Sequence, residues 1–104
     1  MRKSKLELYE EILEVLVNKP STVDYIAYEL KTDCTVLKHR LDFLIKNGLV
    51  EERNVNEKIL YAITERGTAV LRGLNFSKYL RRIAKKIRVI DEAFEVISEL
   101  EKKT

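Results

Sequence analysis

At 104 residues the chain has the length for one domain and an appendage, not for two independent cores. With 45% hydrophobic and 36% charged residues it reads as a folded chain rather than a disordered one, and no apolar run approaches the roughly 20 residues that cross a bilayer. The formal charge of +3 comes entirely from the tail: residues 1–75 carry 12 Lys/Arg against 12 Asp/Glu, and residues 76–104 carry 8 against 5. Total charge is therefore weak evidence for a nucleic-acid partner, and the architecture has to carry that argument.

Met1 to Lys5 leads straight into a helical pattern containing Glu, unlike a signal peptide. Leu6, Tyr9, Ile12, Leu13 and Leu16 recur at helical spacing, with Glu7, Glu10, Glu11 and Glu14 on the other side, and Pro20 ends the segment near Asn18-Lys19. Ser21, with Asp24 three residues on, is placed to cap a second helix whose stripe is Val23, Ile26, Ala27 and Leu30. Lys31-Thr32-Asp33 is a short polar break of the kind that joins two helices steeply. Thr32 or Asp33 then caps a third helix over 34–47, which Gly48 stops in a left-handed conformation. Cys34, Leu37, Leu41, Leu44 and Ile45 fall on its apolar side; Thr35, His39, Asp42 and Lys46 fall opposite, with Lys38 close by.

Two β-prone runs, Leu49–Arg53 and Ile59–Ile63, flank a polar tip and predict a hairpin, a wing spanning 51–60. No Asn-Gly or Asp-Gly fixes its turn, so the register stays open. Thr64 caps a further helix, whose continuity Gly73, Asn75 and a fresh cap at Ser77 leave undecided. Phe76, Leu80, Ile83, Ile87, Ile90, Phe94 and Ile97 then alternate at spacings of four and three, a heptad seam on a helix about 40 Å long. Val89, Ala93, Val96 and Leu100 form a second apolar stripe beside it.

Helix, helix, steep turn, helix, hairpin, helix is the order of a winged helix-turn-helix. The run Leu41 to Val50 is similar to the Leu-x-x-Leu-x-x-x-Gly-Leu-[Val/Ile] recognition-helix exit of archaeal and bacterial winged-helix regulators. Tyr61-Ala62-Ile63-Thr64-Glu65-Arg66-Gly67 resembles their "Tyr-x-Leu-Thr-x-x-Gly" wing exit. The resemblance covers about residues 5–75. With the long tail added, the whole chain looks like small archaeal winged-helix proteins that dimerise through an antiparallel coiled coil. That likeness implies a dimer, an archaeal or archaeal-virus source, and either a local regulator or an architectural DNA binder.

The expected fold is mainly α with a small β-hairpin: a winged helix-turn-helix DNA-binding domain over 1–75, then a coiled-coil dimerisation helix over 76–104. A recognition helix needs short or polar residues where it enters the major groove. Thr35, Lys38 and His39 are the candidates on the third helix, and Arg53, Asn54, Asn56 and Lys58 on the wing. His39 stands where related proteins often carry Arg or another long polar residue, which disfavours bidentate guanine reading there, and Arg40 lies on the flank, where packing competes with DNA contact. Phe76, Leu80, Ile83, Ile87, Ile90, Phe94 and Ile97 are the dimerisation residues. An antiparallel pairing is favoured, because 76–88 holds six cations and no carboxylate while 89–101 holds five carboxylates and no cation.

The expected partners are double-stranded DNA and a second copy of the chain, with no membrane. The alternative is a winged-helix protein–protein interaction module without DNA binding, supported by the balanced charge of residues 1–75. One His, one Cys and no phosphate loop leave no nucleophile–base or metal constellation, so no enzyme activity, metal or cofactor is expected. A lone Cys34 forms no internal disulfide, which fits a reducing compartment; the expected location is cytoplasmic, on the nucleoid.

Overall fold

A computed structural model describes residues 3–102, so the outermost residues of both expected domains, 1–2 and 103–104, lie outside the described residues. Along the chain run α1 (Lys5–Asn18), α2 (Val23–Leu30), α3 (Cys34–Lys46), β1 (Val50–Val55), β2 (Lys58–Ile63) and α4 (Glu65–Lys102). Ser4 opens α1 by accepting the Glu7 N–H on its hydroxyl at 3.1 Å. The buried side of α1 is Leu8, Ile12, Leu13 and Leu16, and Glu10, expected on the opposite side, is buried as well; Leu6, expected on that stripe, is more than half exposed, and Leu8 takes its place.

The cap of α2 falls one residue later than the sequence predicts. Ser21 is buried, and its backbone N–H and C=O pair with Tyr61 of β2 at 3.0 and 2.8 Å. Buried backbone groups have to be paired, and this short bridge pairs both. Capping passes to Thr22, whose hydroxyl accepts the Tyr25 N–H at 3.2 Å. Lys31, left-handed at φ 52°, closes α2. Asp33 caps α3 through the Thr35 N–H at 2.6 Å, as expected. Leu37, Leu41 and Leu44 bury their side of α3 against Ile12, Leu13, Leu16 and Ile26, and Val50 and Leu71 join the same core.

Gly48, at φ 75°, makes the left-handed stop the sequence predicts. The strands pair antiparallel from Val50↔Ile63 to Val55↔Lys58, which settles the register. Only Asn56 and Glu57 lie between them, both left-handed at φ 50° and 65°, as a type I′ turn requires. Asn tolerates that conformation; Glu57 holds it at a cost of about 1 kcal/mol. The absence of Gly is what hid this turn in the sequence.

Helix α4 is continuous through Gly73, Asn75 and Ser77. The chain forms two compact units divided between Gly73 and Leu74, inside that helix. Two glycines of α4 differ sharply in surroundings. A Cβ on Gly67 would sit 2.1 Å from the Leu49 carbonyl oxygen and 2.7 Å from Ile63 Cγ1, whereas one on Gly73 would meet nothing within 4 Å. Gly67→Ala should destabilise the fold by about 1–3 kcal/mol through overpacking. Gly73→Ala should stabilise it by about 0.5–1 kcal/mol, because glycine in a helix interior costs backbone entropy. Urea melts of both variants at one protein concentration check the opposite signs.

Candidate nucleic-acid interface

Lys38 projects from the second turn of α3 and is exposed, as are Thr35 and His39 beside it. A shallow depression brings Lys38 together with Lys58 and Ile59 of the wing, Tyr61, and the first turn of α2 at Thr22, Val23 and Asp24. Residues 20 positions apart in sequence thus share one surface. They do so because the Ser21–Tyr61 bridge fastens β2 to the start of α2, while Leu37 and Leu41 anchor α3 from beneath.

The remaining wing candidates are placed differently. Arg53 is exposed, but its Nε and Nη2 donate to Glu51 Oε1 at 3.0 and 2.8 Å. That pair lies along one strand face and is half exposed, so it is worth little and water or phosphate competes with it easily. Asn54 is paired with Ile59 across the ladder, and Asn56 sits in the left-handed turn; both are exposed. Strand pleating puts Glu52, Asn54, Ile59 and Tyr61 on one face of the hairpin and Arg53, Leu60 and Lys58 on the other. Arg40 points away from the depression: its Nη1 donates to the Tyr9 hydroxyl at 3.4 Å, beside the stacked rings of Tyr9 and Phe43.

One local expectation is corrected. Cys34 is exposed, not on the apolar side; it occupies the first turn of α3, with Sγ donating to Asp24 Oδ1 at 3.8 Å. Tyr61 is more than part of a wing-exit motif, since it bridges to Ser21 and lines the depression. The sequence carried no sign of this, because the bridge joins residues 40 apart. Among the described residues, no group of three or more His, Cys, Asp or Glu is placed to hold a metal.

The surface is electrically mixed. Asp24 and Glu57 line the depression with Lys38 and Lys58, and Asp42 and Glu52 act on Tyr61 from α3 and β1. On the tail unit, Phe76, Leu80, Ile87, Ile90, Phe94 and Ile97 are exposed in the single chain and Ile83 is half-buried; Val89, Val96 and Leu100 are exposed as well. Among the described residues, no helix is long and apolar enough to cross a membrane.

Burial, then the negative charges of Glu52 and Asp42, push the Tyr61 phenol above its ordinary pKa of 10.0. The folded chain therefore holds a proton that the unfolded chain gives up. Stability from Tyr61 is full below about pH 10 and declines as the pH rises through the folded value. Phenolate absorbance should show one of the five tyrosines ionising late. Tyr61→Phe should flatten the alkaline fall in stability, checked by urea melts at about pH 8 and about pH 11.

The family profile described as winged helix-turn-helix matches residues 2–82. No curated protein matches the chain. Among solved structures, the reduced form of the transcriptional regulator YodB from B. subtilis is similar, with 28% identity, a TM-score of 0.61, and coverage of 65% of this chain and 71% of that one. The transcriptional regulator BldR from Sulfolobus solfataricus shares the fold at 20% identity and a TM-score of 0.63, over 93% of this chain and 73% of that one. So does a homodimeric winged helix-turn-helix DNA-binding domain from Mycobacterium bovis, at 25% identity and a TM-score of 0.57, over 69% and 65%. With the three-helix core, the bridged wing and a profile match over most of its length, the chain belongs to the winged helix-turn-helix family.

Proposed function

We propose that this chain is a homodimeric DNA-binding protein that acts in transcription or chromosome organisation by occupying duplex DNA. The observation that carries the reading is the shared surface of Lys38 and Lys58, with Thr35 and His39 exposed beside them. In this mechanism α3 enters the major groove, where Thr35, Lys38 and His39 meet base edges and phosphates. The wing lies along the flank, with Lys58 and Asn56 on the backbone, Asn54 beside them and Arg53 exchanging Glu51 for phosphate. The DNA-binding, homodimeric description of the Mycobacterium bovis domain and the regulator titles of the other two structures support it.

The exposed seam of α4 supports the dimer, since seven large apolar side chains at heptad spacing on one helix need a cover. Antiparallel pairing sets the cationic 76–88 segment of one helix beside the carboxylates of 89–101 on the other. Most of these charges sit at outer positions, so the preference is small, at about 0.3–0.5 kcal/mol per close pair. A protein-interaction module is the second reading, favoured by Asp24 and Glu57 in the depression and by the neutral balance of residues 1–75.

A gel shift of random duplex across a salt series separates the two readings. The DNA-binding protein retards duplex at low salt and releases it as salt rises. Absence of binding at low salt would favour the interaction module. Lys38→Ala with His39→Ala should weaken binding at least tenfold, and Lys58→Ala should lower the salt slope by about 1; unchanged affinity in the double variant would move the site elsewhere.

The seam has its own test. Ile87→Asp buries a carboxylate at its centre and should turn a sedimenting dimer into a monomer. Spin labels on Ser98→Cys in a Cys34→Ser background should lie about 30 Å or more apart if the helices run antiparallel and cross near Ile87. Parallel helices would hold them roughly 10–15 Å apart.

A further inference from the structure

On the helical wheel, Lys78, Arg81, Arg82, Lys85 and Arg88 fall within an arc of about 120° centred opposite the seam of Phe76, Leu80, Ile83, Ile87 and Ile90. All five are exposed. Among the described residues, no carboxylate forms an ion pair with Arg81, Arg82, Lys85 or Arg88. The stripe rises about 15 Å along α4, a length over which one DNA strand presents about four phosphates.

An ordinary solvated helix face interleaves acids and bases, so that neighbours three and four positions apart attract. Within 78–88 those neighbours are alike: Arg81 with Lys85, Lys78 with Arg82, Arg82 with Lys85, Lys85 with Arg88; Arg88 alone has carboxylates at these spacings, Asp91 and Glu92. Like charges at these spacings destabilise a helix. The tail does not lack carboxylates, since five follow within 89–101, yet none interrupts 76–88. A polyanion laid on this face removes the repulsion. Arginine forks match phosphate oxygens, and three of the five cations are arginine. In a dimer paired through the seam the stripe points outward on each helix, so the partner's carboxylates do not cover it.

We propose that the outer face of α4 over 78–88 is a second, sequence-independent contact for the phosphate backbone of duplex DNA, held by Arg81, Arg82, Lys85 and Arg88. The inference rests on the DNA-binding reading above and adds a surface to it.

The test uses the full chain, a random duplex of about 30 base pairs, and fluorescence anisotropy across a salt series. The variant Arg81→Gln, Arg82→Gln, Lys85→Gln and Arg88→Gln keeps helix-forming side chains and leaves the seam intact, so its helicity and dimer mass should match the parent. Its affinity at low salt should fall at least tenfold, and its salt slope should drop by about 2–4. Adding Asp91→Asn, Glu92→Gln, Glu95→Gln and Glu99→Gln restores the net charge without restoring the stripe, and the loss should persist. Recovery in that combined variant, or an unchanged slope in the first, would overturn the stripe and leave the α3 and wing contact standing. A parent chain that binds no duplex at low salt would overturn both.

Discussion

The structure turns on one knot of backbone at the root of the wing. The Thr64 hydroxyl donates to the Gly48 carbonyl at 2.6 Å and accepts the Gly67 N–H at 3.0 Å. The Thr64 N–H donates to the Leu49 carbonyl at 3.0 Å. One residue thus joins the end of α3, the entry to β1, the exit from β2 and the first turn of α4. Gly67 has to be glycine because the same Leu49 carbonyl occupies the space of its missing Cβ. If this knot loosened, the hairpin would swing, and Lys58 would no longer share a surface with Lys38. The Ser21–Tyr61 bridge is the second tether; together they hold the C-terminal half of β2.

The sequence discloses features set by short-range chemistry. Pro20 ends α1, Asp33 caps α3, Gly48 takes the left-handed stop, and Thr64 with Gly67 announces α4, because each acts within a few residues of itself. Features set by distant partners stay hidden. Ser21 looks like a cap until Tyr61 claims its backbone, and Cys34 looks apolar until α3 is rotated by what Leu37 and Leu41 bury. Leu6 and Leu8 are equally good helical positions in sequence, and only the arrangement of α2 and α3 chooses Leu8.

The candidate site divides the same way. Lys38, His39 and Thr35 are legible as the exposed side of a helix whose other side is plainly core. The hairpin tip resists reading because its left-handed pair is Asn56-Glu57, one residue of which pays a conformational penalty. Arg53 and Lys58 look equivalent in sequence and share one face of the hairpin, but Glu51 makes them unequal: the Arg53 guanidinium is already paired, while Lys58 lines the depression.

Charge partition then constrains how the proposed DNA-binding dimer would work. With Asp24, Asp42, Glu52 and Glu57 close to its cations, a single head presents little net positive potential, and long-range steering from it is weak. Shape and short-range contacts have to supply its affinity, and these act only once the duplex is near. In the proposed dimer the second head meets a duplex already held by the first, at an effective concentration set by the tether rather than by the solution. On the proposals above, the cationic segment 76–88 would add the missing long-range attraction apart from the α3 residues proposed to meet base edges. A neutral head would then limit non-specific capture at the proposed α3 and wing surface, and charge segregated into 76–88 would give capture a location of its own.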